Sequence, residues 1–174
     1  DFTGNHRFIM DYLIEEVLDA QLPEIREFLL KTSILREFNR QLCDHMLDRE
    51  DSLSILSTLE RNNLFIVPLD EHRVWFRYHH LFADLLKVHA RGIYSDVLNE
   101  LHRKASNWLS EHGFVFDGLK HAIEASDFEL AEELIHRNAV TVLNSRNLSA
   151  IQDILSYFPE EFISHHEWLI ITKA

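Results

Sequence analysis

Between residues 64 and 79 the apolar pattern of this chain changes its period, and that change restricts the possible folds more than any other feature of the sequence. Just upstream, Leu53, Leu56 and Leu59 recur at helical spacing after Asp51 and Ser52, either of which could cap the helix. Then LFIVPL (64–69) and VWFRYH (74–79) read as two strands joined by the polar turn DEHR. In the second strand Val74, Phe76 and Tyr78 share one face, and Trp75 and Arg77 take the other. Pro68 has no N–H for a ladder, so the first strand is an edge or ends there. At His80 the helical period resumes, with Leu81, Leu85 and Val88 on one stripe over about 80–90.

More helices precede the hairpin. Residues 6–19 carry Phe8, Ile9, Tyr12, Leu13 and Val17 at steps of three and four. A second helix starts near Pro23, an acceptable first-turn position, with Glu24 favouring its N-terminus and Ile25, Phe28 and Leu29 turned inward. A third spans about 36–47, with Phe38, Leu42 and Met46 on one face. Three helices and a hairpin, from Pro23 onward, is the order of a winged-helix domain. Gly92 marks a break. Beyond it the pattern is helical throughout, at about 95–111, 117–125, 128–138, 147–157 and 160–173. Ala105, Ala122 and Ala131 recur at crossing positions, while Trp108, Leu119, Ile123, Phe128 and Leu134 fill the apolar stripes. Such short antiparallel helices suggest tetratricopeptide-like helical-hairpin repeats, although no strict 34-residue period is visible. The fold class expected is mainly α, a winged helix followed by helical hairpins. The domains expected are 1–20 as the end of an upstream helical domain, 21–92 as the winged helix, and 93–174 as a helical arm with the start of repeats.

Composition narrows the function. Of 174 residues, 46% are hydrophobic and only four are glycine and three proline, which fits a folded globular chain. Seventeen basic against twenty-nine acidic side chains leave a net charge of −12, which repels the phosphates that dominate nucleic-acid affinity. The helix SLSILSTLERNN, which would enter a DNA groove, has one Arg, one Glu and no Lys. No direct nucleic-acid contact is expected, and the winged helix reads as a protein module. The longest apolar runs are far short of the roughly 20 residues of a membrane helix, so no membrane contact is expected. The chain opens at Asp1 with no basic, signal-like start, which suggests a piece of something longer. A lone cysteine, Cys43, excludes an internal disulfide, fits a reducing, cytoplasmic compartment, and is read as a small buried thiol.

Twelve histidines raise a metal or a catalytic hypothesis. Their spacing supports neither. Adjacent residues point to different sides of a strand or helix, so His79 and His80 are not expected to share one ion. His165, His166 and Glu167 form HHE, not the helical HExxH that places two imidazoles on one face. No GxSxG and no GxxxxGK[ST] occurs, so no catalytic residue and no metal ligand is assigned. His79 has two readings on its chemistry. At the N-cap of the helix that starts near His80 it could add an imidazole to free N–H groups that attract anions. Equally, it could do no more than cap the corner.

The string LERNNLFIVPLDEHRVWF followed by RYHHLFADLL resembles the MalT-type regulators, the large ATP-binding LuxR-family transcription factors of the STAND class of signal-transduction NTPases. Their pattern is roughly LE-x-x-N-L-F-(apolar)-x-PLD, a polar turn, then W-(aromatic)-RYH-x-LF-x-x-(L/F)-L. Agreement runs from Leu59 to Leu86, and RFIMDYLIEEVLD, FLLKTSILREFNRQLCDHM, LHRKASNWLSEHG and LKHAIEASDFELAEELI extend it over nearly the whole chain. The resemblance implies a middle segment, with a P-loop nucleotide-binding domain upstream and sensor repeats and, usually, a DNA-reading helix-turn-helix downstream. It implies no cofactor in this segment, and ADP or ATP with magnesium in the parent protein, a slow ATPase switch. It also implies that His79, in the H-x-x-F context His79-His80-Leu81-Phe82, contacts the β-phosphate of ADP supplied by the upstream domain. His80 is then incidental. Partners would be the neighbouring domains of the same chain, with self-association when an inducer opens the switch. The rival expectation is a helical-repeat scaffold or adaptor in which no nucleotide matters, and a weaker one is an enzyme fragment.

Overall fold

The computed structural model describes residues 13–138 and Phe158, with side chains from Glu16 onward. The helix expected over 6–19 is described only from Leu13 to Leu18, where it is wound as a π-helical turn. The helices expected over 147–157 and 160–173 lie outside the described residues. The chain divides into two compact units, Asp1–Leu101 and His102–Ala174.

In the first unit, α1 (Pro23–Thr32) starts at a proline, as expected, and buries Ile25, Phe28, Leu29 and Leu30. Helix α2 (Arg40–Leu47) begins four residues later than the apolar spacing suggested. Phe38 is not helical, because its N–H and carbonyl pair with the carbonyl and N–H of Phe76 at 2.9 and 2.8 Å. Asn39 then caps α2, its side-chain oxygen accepting the Leu42 N–H at 2.8 Å. Helix α3 (Ser52–Arg61) follows, and α2 packs against it. Neither candidate cap acts through its side chain. The Asp51 carboxylate is taken by Arg49 at 2.6 and 2.8 Å, Ser52 lies inside the helix, and Asp44 accepts the Ser52 N–H instead. The inward face of α3 is Ser52, Ile55, Leu56 and Leu59, so Leu53 points outward at 55% exposure.

The two expected strands form an antiparallel pair, β1 (Ile66–Pro68) and β2 (Phe76–Tyr78), with Ile66 opposite Tyr78 and Pro68 opposite Phe76. β1 does end at its proline. β2 is shorter than the alternation suggested, because the Asp70 carboxylate takes the N–H groups of Val74 and Trp75 before they can join a ladder. Phe76 and Tyr78 are buried and Arg77 is exposed, but Val74 is exposed as well.

Helix α4 (His80–Glu111) follows directly, and its non-helical φ/ψ falls at Tyr94 rather than at Gly92. Glycine in a helix interior costs about 1 kcal/mol without forcing a break, and the Cβ position of Gly92 is open. The buried stripe at the start of α4 is Phe82, Leu85, Leu86 and Ala90, so Leu81 is half-buried and Val88 faces outward. Phe28, Phe38, Met46, Leu59 and Phe82 are fully buried in this unit, each stabilising it by about 1.5–3 kcal/mol.

In the second unit the later part of α4 is followed by α5 (Val115–Glu124) and α6 (Phe128–Arg137), which pack together. Val115, Leu119, Ala122, Ala131, Leu134 and Phe158 form its core. Ala105, Ala122 and Ala131 are all fully buried, as their spacing suggested. Gly118 allows the closest approach. A Cβ there would lie 2.9 Å from the Ser106 carbonyl oxygen, and the Ser106 hydroxyl donates to the Gly118 carbonyl at 2.7 Å. The fold is thus mainly helical: three helices and a β-hairpin, with further helices after it.

Candidate functional site

The corner between β2 and α4 is built from residues far apart in sequence. Helix α3 ends in a left-handed closure, with Asn63 at φ 50° and the Leu64 N–H donating to the Leu59 carbonyl at 2.9 Å. Phe65 is also left-handed, at φ 54°, an uncommon conformation for an aromatic residue. That turn aims its carbonyl at the corner, where it accepts the His79 N–H at 2.7 Å. On the other side the His79 carbonyl accepts the Ala83 N–H at 2.9 Å, which starts the intrahelical bonding of α4. The His79 backbone is therefore held from both directions.

Its two flanking aromatic residues anchor the core. The Phe82 ring lies 5.3 Å from Phe65 and meets Tyr78 edge-on at 6.1 Å, and Tyr78 sits 4.7 Å from Phe38. The Tyr78 phenol shares a 2.6 Å hydrogen bond with the buried Thr32 hydroxyl at the end of α1. Burial pushes the Tyr78 phenol well above its usual range, against the opposing effect of that bond, so it stays neutral.

Both imidazoles of the corner are exposed. The expectation that His79 and His80 diverge is corrected: their ring centroids are 4.4 Å apart, tilted by 35°. Alternation of side chains fails here because the pair spans the junction itself, with His79 outside the helix and His80 its first residue. Among the described residues no group of three or more His, Cys, Asp or Glu could hold a metal ion; His165, His166 and Glu167 lie outside them. Cys43 is fully buried and its thiol is pushed up strongly, first by burial and then by Asp44.

The rest of the PLD-to-RYH stretch shapes the wing. Asp70 accepts from the Trp75 N–H at 2.7 Å and from Val74, which holds its carboxyl below the usual range. Arg73, at φ 54°, reaches back to Glu60 of α3 at 2.6 Å. The only acid of α3 is thus engaged by the wing, and the outward face of that helix is Leu53, Ser54, Ser57 and Arg61. No helix among the described residues is long and apolar enough to cross a membrane.

Sequence reasoning placed His79 at the start of a helix, where it is, but missed Thr32 and Phe65, which hold the corner. A buried threonine at the end of an apolar helix was the one available sign of the first; a left-handed phenylalanine leaves no sign.

Comparison with known proteins agrees with this geometry. Residues 14–103 match the MalT winged helix domain. The chain is 32% identical over 171 residues to the HTH-type transcriptional regulator MalT of Vibrio parahaemolyticus serotype O3:K6 (strain RIMD 2210633), covering 98% of this chain and 19% of that protein. It is 30% identical, again over 98% of this chain and 19% of the relative, to the protein of the same name from Vibrio campbellii (strain ATCC BAA-1116). This sequence thus spans about a fifth of the length of the curated relatives it matches. With the match running through the three helices, the wing and the His79 corner, the chain belongs to the MalT winged helix domain family.

Proposed function

We propose that this chain is the regulatory middle segment of an ATP-dependent, inducer-controlled transcription activator of the LuxR family, and that it couples nucleotide state to signal sensing. The observation that carries the proposal is the His79 corner: an exposed imidazole on a backbone fixed at both sides, at the start of a long helix. The donor set fits a phosphate. The first-turn N–H groups of α4 have no intrahelical acceptor, the helix end is electropositive, and an imidazole N–H adds a second kind of donor. Homology to proteins named transcriptional regulators over nearly the whole chain supports the class of parent protein.

In this reading an upstream domain supplies ADP, and magnesium when ATP replaces it. His79 donates to the β-phosphate and keeps the resting arrangement closed. An inducer bound to downstream repeats favours the state in which that contact is absent, and the opened protein self-associates. A ligand can shift this balance only through its differential affinity for the two states. The chain itself contributes neither a catalytic residue nor a DNA contact, and acts in the cytoplasm.

The test uses a chain extended upstream through the preceding domain. ADP released on denaturation is quantified for the parent and for His79→Ala. Near-stoichiometric ADP in the parent and its loss in the variant support the reading. Equal retention reduces His79 to a helix cap, and absence of nucleotide from both favours an adaptor built on helical hairpins.

A further inference from the structure

Tyr78 immediately precedes His79, and its hydroxyl bonds Thr32, 46 residues away in sequence, at 2.6 Å. The direction of this bond follows from the inventory of hydrogens. The Thr32 hydroxyl has one proton, and it goes to the Phe28 carbonyl at 2.7 Å. Tyr78 must therefore donate and Thr32 accept, giving the directed chain Tyr78 O–H to Thr32 O–H to the Phe28 carbonyl. Both side chains are buried, at 4% and 0% exposure, so water does not compete for either group. The bond ties the last turn of α1 to the last residue of β2.

Packing alone does not require it. A phenylalanine at 78 would keep the ring contacts to Phe38 and Phe82. What the hydroxyl adds is a fixed depth and rotation for the ring. One residue on, the His79 N–H reaches the Phe65 carbonyl at 2.7 Å, a bond that tolerates little displacement of the strand end. A histidine that meets a phosphate from an exposed corner gains by arriving already placed, because less ordering remains to be done on binding.

We infer that Thr32 and Tyr78 are positioning residues for His79: their buried hydroxyl pair sets the corner from which the imidazole meets the nucleotide β-phosphate. This rests on the reading of His79 proposed above. The role is one of geometry, and neither residue touches the nucleotide.

The experiment measures ADP dissociation from the upstream-extended protein, by displacement of a fluorescent ADP, for the parent, Tyr78→Phe, Thr32→Val, Thr32→Ser and His79→Ala. Affinity for AMP, which has no β-phosphate, is measured beside it. Tyr78→Phe and Thr32→Val are each expected to speed ADP release by about three- to tenfold, the scale of one buried hydrogen bond. Combining them should add little, since both remove the same bond. AMP affinity should not move, Thr32→Ser should retain slow release, and Tyr78→Phe should have no effect once His79 is alanine. A merely structural role gives a different pattern: ADP and AMP weaken together, and Tyr78→Phe acts equally with or without His79. Either result overturns the inference, as does unchanged ADP release in Tyr78→Phe. If His79→Ala itself leaves ADP release unchanged, the His79 reading fails and takes this inference with it. If His79→Ala speeds release and Tyr78→Phe does not, the inference alone fails.

Discussion

The winged-helix unit and the helical unit after it are held together in opposite ways. In the first, residues far apart in sequence meet through the backbone: Phe38 with Phe76, Phe65 with His79, and Thr32 with Tyr78 through side chains. Asn63 and Phe65 take left-handed φ values where the chain turns toward His79, and Asp48 and Arg73 take them in other turns of this unit. In the second, sequence neighbours pack as plain helices, and small residues set the spacing: Ala105, Gly118, Ala122 and Ala131. Its cross-links join side chains of neighbouring helices, such as Arg103 with Asp127 at 2.7 Å and His102 with His121 at 2.8 Å. The first unit fixes its corner through paired backbone groups; the second, whose turns at Gly113 (φ 88°) and Ser126 (φ 55°) are left-handed too, relies more on complementary helix surfaces.

The largest expected effect tests the corner. Phe82 is fully buried beneath it, between Phe65 and Tyr78. Phe82→Ala should cost about 3–5 kcal/mol in equilibrium unfolding, with amide exchange protection lost first at β1, β2 and the start of α4. A cost near that of a surface change would mean the aromatic cluster is not the anchor.

In the second unit the sensitive point is an absence of volume. Gly118→Val places a Cβ against the Ser106 carbonyl at 2.9 Å and the Ser110 nitrogen at 3.2 Å, both backbone atoms that cannot rotate away. Overpacking of this kind costs about 1–3 kcal/mol, read as lowered exchange protection in α5 and α6. A neutral result would show that these helices slide apart freely, and the contrast with the first unit would sharpen.

Two acids extend the comparison to pH. Asp70 is held below the usual carboxylate range by the backbone N–H groups of Trp75 and then Val74. For Asp127 burial pushes upward, but the Arg103 hydrogen bond, the Leu130 N–H and the Arg103 charge together outweigh it and lower the value. A depressed native value means the contribution is complete above the unfolded value, near 4, and is lost as pH falls below it. Both units should therefore lose stability below about pH 4. Added salt should weaken the Asp127 contribution more, since its partner is the Arg103 guanidinium, 42% exposed, whereas backbone N–H groups lead at Asp70 and the charge of His72 comes last. Asp70→Asn should flatten the acid limb at the wing and leave exchange in α5 and α6 unchanged.

The difference between the units also explains what could be read in the sequence. Helices α1, α5 and α6 follow from local apolar period; α1 starts at Pro23 as expected, and α5 and α6 were placed within about two residues of their observed limits. The hairpin was legible as a change of period. Its details were not, because distant partners set them: Phe76 drew Phe38 out of the expected helix, and Asp70 took the N–H groups of Val74 and Trp75 out of the expected strand. The same holds for the site. His79 was legible as the residue before a helix, whereas the Phe65 carbonyl and the Thr32 hydroxyl depend on contacts that no local pattern encodes.

The smallest effect is the most direct check on how the face of α3 is assigned. Spacing by threes put Leu53 with Leu56 and Leu59, but two steps of three rotate by about 120° around a helix of 3.6 residues per turn, and the true stripe steps 52, 55, 56, 59. Leu53 is consequently 55% exposed and Ile55 only 5%. Leu53→Ser should change stability by no more than about 0.5 kcal/mol, while Ile55→Ala costs about 2–5 kcal/mol. Measured together by urea unfolding, the pair cancels errors common to both. A cost of Leu53→Ser approaching that of Ile55→Ala would mean that something covers the outward face of α3 in solution, and the unit's apparent freedom on that side would have to be given up.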